Sequence, residues 1–581
     1  MPFGNSKQKM VMKNRRVQDL TRFTLILGIL ILLNVLSSFQ FFRIDLTAEN
    51  RYTLSEATLN FIEPLEEVVL VKVYLEGDFP AGFQRLQSET RQMLDELRAY
   101  NSNIEYIFIN PSNNATKKET QKLYQQLQSR GLKPYQLQVN EKGGNSVKTV
   151  FPGAIISKGE KEVAVNLLIN QLGTSPQRQI NSSIQNLEYT LANAIRSLST
   201  EKKPLIGFLQ GHGELGPKDL ADMGKQLSQN YSVDLFNIRE FKADSITGKI
   251  SLAQQQSTLN RFDALVIAKP QKAFTDLDKY LIDQFVMTGG KTVWLIDPVQ
   301  ASMDSLSEKS RFLSLPLFDR LNLNDLLFKY GVRLNTNLVT DMVSAGVNDQ
   351  RKTKPWVYFP LAMPTVKHPI TKDLNAIWFR FTSTLDTIIT PNTRKTILLK
   401  SSKYSNTYAT PHMVNLATLY NPPPQERFTK QGLPLGVLIE GTFESLYKNR
   451  ILPQNQGKLL KPRFSSKQNQ MVVVADGDLI RNQFNIVNPN IPKRVPLPVG
   501  YDQFTGQQYG NANFMLNTMD YLLDDSGLIE VRTRELKIRL LDGNLINAQR
   551  LTWQLINTLI PLALVIGFGI IYNYFRKRKY A

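Results

Sequence analysis

His212 and Glu214 follow the apolar stretch Leu205–Leu209, Asp297 follows Thr292–Ile296, and Asp476 and Asp478 follow Met471–Ala475. One imidazole with several carboxylates is a set that binds a divalent cation or works as general acid and base. If the three stretches are parallel strands of one sheet, their carboxyl ends share an edge, and ligands of open α/β sheets sit outside that edge. The same residues also have a plainer use. Gly, Asp and Pro are ordinary turn formers, and an Asp at a strand end commonly caps the next helix. A shared edge does not by itself make a site. The turn-and-cap reading carries more weight, and these positions stand as candidate ligand-binding residues, with no catalytic residue, metal or cofactor assigned.

Other chemistries find less in the chain. It contains no Cys, which removes disulfides, zinc-thiolate sites and Cys nucleophiles, and with them an amidotransferase activity. No Gly-x-Ser-x-Gly elbow is present. Gly290, Lys291 and Thr292 imitate the end of a phosphate-binding loop, but Phe285 stands where its first Gly belongs. The order is also reversed, since a helix ends there and a strand begins. The motif reads as a helix stop, so the chain carries no phosphate-binding loop there. His368 and His412, each beside a Pro, read as surface residues in an irregular region.

The elements that must position these residues follow from periodicity. Val68–Tyr74 and Ile104–Ile109 read as strands around a helix whose face is Phe83, Leu86, Met93, Leu94 and Leu97. A polar helix ends at Gly131, residues 140–165 alternate like a hairpin around Gly143 and Gly144, and Ile180 to Leu198 mark one long amphipathic helix. Residues 46–200 therefore form a small β-α-β-type domain. Beyond Lys202, Lys203 and Pro204, apolar strands at Leu205–Leu209, Ala264–Ala268 and Thr292–Ile296 alternate with helices at 217–230 and 276–288. Such strands imply a parallel sheet covered on both faces. This α/β domain spans 203–525, with an irregular, β-rich insertion at 340–470. Its strand and helix pattern resumes at Met471 and Asn513, and a charged connector occupies 527–550.

Both ends of the chain carry uncharged apolar stretches, Phe23–Phe42 and Leu551–Phe575. About 20 apolar residues cross a bilayer as a helix. The outer flanks, 1–22 and 576–581, are basic and supply nine of the twenty net positive charges. Cytoplasmic flanks carry such an excess of Lys and Arg, so both termini are expected in the cytoplasm and residues 46–548 outside. The rest of the charge forms no dense basic run, which speaks against a nucleic-acid partner. An acidic lipid surface or envelope polymer remains compatible. Within the spans, Asn34 and Asn557 are costly in lipid unless paired with each other or with a partner helix. Pro561 is positioned to kink the second span.

The chain resembles the gliding-motility ABC-transporter auxiliary family, the GldG-type "substrate-binding" components. The resemblance rests on the Asp45–Thr58 segment outside the first span, Gln210–Glu214, Thr292–Pro298 and Met471–Asp478. It extends to the closing helix, connector and span. It implies an inner-membrane protein working with a separate permease and a cytoplasmic ATPase. It also implies an extracytoplasmic parallel-sheet domain similar to flavodoxin-like and amidotransferase-like folds, framed by two transmembrane helices. A non-enzymatic auxiliary that binds substrate or an envelope partner is the expected function. A scaffold of the gliding or envelope machinery, or less readily a metal-dependent envelope hydrolase using His212, are the alternatives.

Overall fold

The structure, a computed structural model, describes residues 20–34, 53–113, 116–141, 144–200, 202–240, 252–307, 310–348, 352–364, 367–453, 461–489, 492–524, 526–533 and 543–580. Residues up to 53 form a unit of their own, whose described part is the apolar helix α1 (Leu20–Asn34). Its 15 residues fall short of a bilayer crossing. The rest of the expected span, 35–42, lies outside the described residues, as do the basic stretch 1–19 and most of the segment after Asp45.

The small lobe opens with α2 (Glu56–Ile62), capped by Ser55, whose hydroxyl accepts from the Thr58 amide at 3.1 Å. Next come β1 (Val69–Val73), α3 (Ala81–Tyr100), β2 (Ile104–Phe108) and α4 (Lys117–Ser129). The hairpin β3 (Tyr135–Glu141) and β4 (Gly144–Val150) precedes a second hairpin, β5 (Gly153–Lys158) and β6 (Lys161–Asn166). The strand order is β2-β1-β5-β6, with β1 parallel to β2 and antiparallel to β5. The long helix expected over 180–198 is instead two, α5 (Pro176–Gln185) and α6 (Leu187–Ser199). At the break, the Asn186 side chain donates back to the Ser182 carbonyl and out to Asp373, both at 2.8 Å. An Asn that finds such local and distant acceptors competes with the helix ladder.

The large lobe is built on β7 (Leu205–Gln210), α7 (Ala221–Leu227), β8 (Ser232–Asn237), α8 (Leu252–Leu259), β9 (Ala264–Ala268), α9 (Asp276–Thr288) and β10 (Lys291–Leu295). The helix expected over 217–230 is confined to α7, whose N-terminus at Leu220 has no side-chain cap. By contrast α9 has a reciprocal capping box between Thr275 and Asp278 and stops at Gly289, whose φ of 109° suits a residue without Cβ. This left-handed stop is what the phosphate-loop look-alike is.

The region 340–470 is more than decoration. Its strands β11 (Thr393–Lys400) and β12 (Pro434–Glu444) join the central sheet beside β13 (Ser465–Val474), giving the order β11-β12-β13-β10-β9-β7-β8. The strands β8, β7, β9, β10 and β13 run parallel, and β12 and β11 extend them antiparallel. Successive residues of β9 face opposite sides, as a strand requires. Leu265 and Ile267 pack into one core with α9, and Val266 and Ala268 into another with α7 and α10 (Asn511–Leu523). Each large apolar side chain so buried contributes about 1.5–3 kcal/mol.

Two further expectations need correction. Of the histidines of the irregular region, expected at the surface, His368 is buried and His412 only half-buried. His368 is buried against Tyr521, and His412 stacks on Tyr408 with its Nε2 2.8 Å from the Tyr358 hydroxyl. Burial lowers the pKa of both, as it does for any imidazole losing water. The connector also begins later than residue 527. Leu528–Thr533 forms a short 3-10 turn whose Leu528, Ile529 and Val531 pack with Tyr189 and Ala192 of α6. Finally, α11 (Gly543–Tyr580) contains Ala548–Arg578, the one helix among the described residues long and apolar enough to cross a membrane. Asn557 and Pro561 lie within it.

Candidate functional site

The carboxyl ends of the parallel strands hold two separate polar clusters. The first is centred on His212, at the end of β7 where the strand order reverses toward β8. Gly211 and Gly213 have φ of 123° and 75°, conformations that fold the loop back over the edge. The imidazole that this turn delivers has no exposed surface. Its Nδ1 lies 3.1 Å from Glu214 Oε1, and its Nε2 lies 3.1 Å from Asp278 Oδ2. Phe274 stacks on the ring at 3.6 Å, and the His212 carbonyl accepts from the amides of Gln271 and Lys272. Asp278 also accepts from the Thr275 amide at 2.9 Å and faces Arg239 at 3.3 Å. Burial works against a charged ring, but the bonds to Asp278 and Glu214 outweigh it and raise the pKa above that of a free histidine. Burial likewise opposes the Asp278 charge, and His212 and Thr275 overcome it, so its pKa is lowered. The pair acts as an internal clamp between the β7 loop and the start of α9.

The second cluster gathers Asp297, Asp476 and Asp478 around Lys269, which follows β9. The Lys269 Nζ lies 3.1 Å from Asp297 Oδ2 and also contacts Asp478. Asp297 Oδ1 accepts from the Gly477 amide at 2.5 Å. A Cβ at Gly477 would come within 2.8 Å of Lys269, so the close approach requires glycine there. Asp476 accepts from the amides of Asp478 and Arg380, both at 2.7 Å. Arg481 reaches Asp478 at 3.5 Å and Asp219 at 3.0 Å. Burial raises the pKa of Asp297 and, further, that of Asp476. Asp478, although buried, is lowered by Lys269 and Arg380. The cation that three converging carboxylates call for is supplied by the chain itself. Among the described residues, no group of three or more His, Asp and Glu side chains is disposed to hold a metal ion.

The five sequence candidates are therefore divided between the clusters. His212 and Glu214 are engaged with each other and with Asp278 and a backbone amide, Asp297 with Lys269 and a backbone amide, and Asp476 with backbone amides. Asp478 lines a cavity of about 410 Å³ that also meets Trp378, Arg380, Phe381, Arg481 and Asn482. Asp278 and Lys269 were missed by inspection of the sequence. The pattern Thr275-x-x-Asp278 before an apolar helix was the available signal for the first. Lys269 had none beyond its place after a strand. Asn34 and Asn557, expected within membrane spans, fall on α1 and α11 respectively.

A doubly covered sheet followed by an apolar helix defines an α/β protein carrying its own means of membrane association. Residues 203–518 match the auxiliary family described as an ABC-type uncharacterized transport system, and the chain belongs to that family. Residues 48–157 match a domain of unknown function. An uncharacterized protein of Borreliella burgdorferi is 22% identical over 585 residues, covering 98% of this chain and 100% of that one. The mmIFT52 N-terminal domain aligns with 55% of this chain and 97% of that domain at 15% identity, with a TM-score of 0.31; at that score the likeness says nothing about the fold.

Proposed function

We propose that the protein is a non-enzymatic accessory subunit of an ABC-type transport complex of the gliding-motility kind. In this reading it sits in a bacterial inner membrane with both termini cytoplasmic and the two lobes on the periplasmic side. A separate permease and a cytoplasmic ATPase are its partners. The reading is carried by one combination, a chain of the transport-auxiliary family that ends in the apolar helix Ala548–Arg578. The two terminal helices would join the permease helices, where interhelical polar contacts are worth about 0.6–2 kcal/mol each. The large lobe would receive substrate or engage an envelope partner at the carboxyl edge of its sheet, beside Asp478. The His212 part of that edge, filled by side chains, favours the rival reading of a scaffold without a transported ligand. The hydrolase reading draws no support from His212, whose ring has no exposed surface.

The test is recovery of a permease and an ATPase with the tagged full-length chain after gentle detergent extraction of native membranes. Asn34→Leu and replacement of residues 551–575 by a poly-Leu helix should reduce that recovery. Retention of both partners by the poly-Leu variant would mean that the lobes, and not the helices, dock on the transporter. Failure of the unmodified chain to bring down any transporter subunit would sink the assignment.

A further inference from the structure

The cavity beside Asp478 is unusual in which of its polar groups lack partners. The Arg380 guanidinium lies 4.2 Å over the Trp378 ring and makes no hydrogen bond or ion pair within contact distance among the described residues, although its charge acts at longer range on Asp478, Asp476 and Asp502; its backbone amide is bonded to Asp476. Asn482 is 2% exposed, yet its Nδ2 has no acceptor, and Trp378, 5% exposed, leaves its indole Nε1 unbonded. All three are donors. Buried polar groups in folded proteins are almost always hydrogen-bonded, so each exception asks for an explanation such as a missing ligand.

The acceptors of Asp478, Asp502 and Gln503 at the same cavity are, in contrast, engaged. Asp478 is held by Lys269 and Arg481. The Asp502 carboxylate accepts from the Phe504 amide at 3.0 Å and the Thr505 hydroxyl at 2.5 Å. The Gln503 carbonyl oxygen accepts from the Ile486 amide at 2.9 Å. The unbonded donors of Trp378 and Asn482 call for an occupant that brings acceptors. Phe359, Phe381, Phe484 and Phe504 also line it, so the rest of the occupant meets aromatic surface. A volume of about 410 Å³ is within the range of small-molecule sites, ~300–1,000 Å³. Guanidinium forks match carboxylates and phosphates with two parallel bonds.

We propose that this cavity binds a small oxyanion, a carboxylate or phosphate ester on an apolar or aromatic body, with Arg380 as the anion fork and Asn482 and Trp378 as auxiliary donors. This deepens the binder reading above by naming the class of ligand. Partner recovery is measured with no ligand added, so either claim can fail while the other stands.

The experiment uses the full chain in lipid nanodiscs, with empty nanodiscs as background. Binding of benzoate, phenyl phosphate, benzamide and inorganic phosphate is followed by ligand-observed NMR titration. Benzoate and phenyl phosphate are expected to bind. Benzamide, which keeps the ring but loses the charge, should bind at least tenfold more weakly. Inorganic phosphate, which keeps the charge but loses the ring, should also bind at least tenfold more weakly. Arg380→Met should weaken the binding of both aromatic anions at least tenfold, Arg380→Lys by less, and Trp378→Phe by about threefold. Benzamide binding as well as benzoate would overturn the proposal. So would unchanged phenyl phosphate affinity in an Arg380→Met protein that melts like the wild type, or no detectable anion binding by the wild type. If Arg380→Met does not fold, the benzoate–benzamide comparison on the unmodified chain decides the matter.

Discussion

Removing the His212 ring should damage the fold of the large lobe. The ring donates or accepts at both nitrogens, to Glu214 and Asp278, whose side chains are 1% and 3% exposed. Hydrogen bonds to charged groups contribute about 1.5–3 kcal/mol each, and breaking a buried ion pair by deleting one partner costs about 3–5 kcal/mol. Part of the loss is softened. Asp278 keeps the Thr275 amide and Arg239, and Glu214 keeps its 2.7 Å bond from the backbone amide of residue 212. For His212→Ala the bonds lost, together with the empty space against Phe274, give an expected destabilisation of about 3–5 kcal/mol. His212→Gln, which retains shape and one donor group, should lose roughly half of that. The effect also has a pH sign. The folded-state pKa of His212 is raised, so its contribution is complete below the ordinary value of about 6.5 and is lost as pH rises through the folded-state pKa. The pKa of Asp278 is lowered, so its contribution is complete above about 3.9 and is lost as pH falls through the folded-state value. The gap between wild type and His212→Ala should therefore be widest between these limits and narrow on the alkaline side. Urea unfolding of the detergent-solubilised chain reads it, followed by tryptophan fluorescence, three of whose four emitters, Trp294, Trp356 and Trp378, lie in the same lobe. A His212→Ala protein within 1 kcal/mol of wild type at pH 6, or a gap that widens toward pH 9, would refute the clamp.

Lys269→Met should destabilise the same lobe by about 3–5 kcal/mol at pH 7; because Asp297 already has a raised pKa, part of that loss should be recovered at pH 5, as the same unfolding assay would show. Tyr189→Phe deletes a 2.7 Å bond to the buried Asp520 and should cost about 1.5–3 kcal/mol, with faster amide exchange in α6; unchanged exchange would mean that the seam between the lobes does not depend on this contact. Reporter fusions at residue 5, at residue 250 and at the C-terminus should show the first and last in the cytoplasm and the second outside; a cytoplasmic signal from residue 250 would overturn the proposed topology. The purified chain should hydrolyse no ATP in a phosphate-release assay, since Gly289 and Gly290 end a helix instead of opening one, and robust hydrolysis would sink the division of labour with a separate ATPase.

Much of the parallel sheet was legible because its strands are short, fully apolar and punctuated by turn residues. Ala264–Ala268 reads as a buried strand in sequence and is one in space. What escaped was what depends on distant pairing. The edge strand Thr393–Lys400 carries charged and polar residues, so its pattern does not announce that it joins the central sheet, and the apolar run of Pro434–Glu444, largely buried between two neighbours, follows a Pro-rich segment that masks its place there. The single residue Asn186 breaks a helix whose apolar period runs on without interruption, because its partner Asp373 is 187 positions away in the chain. At the candidate site the strand-end acids were visible by type and position. Their company was not, since neither Lys269 inside the acid group nor Asp278 across from His212 lies near its partner in sequence. The free donors of the cavity were hidden for the same reason. Arg380 and Asn482 come from segments 102 residues apart, and the absence of a partner is a property of the folded neighbourhood alone.

The turn Leu528–Thr533 has a mechanical consequence. It is the last described piece of the lobes before the helix Gly543–Tyr580, so tension or rotation arriving along the chain from that helix is first applied there. Its foothold is the flank of α6 at Tyr189 and Ala192, while Arg532 reaches across to the Lys372 carbonyl of the large lobe at 2.7 Å. The turn is thus anchored to both lobes at once, through Tyr189 and Ala192 on one side and the Lys372 carbonyl on the other.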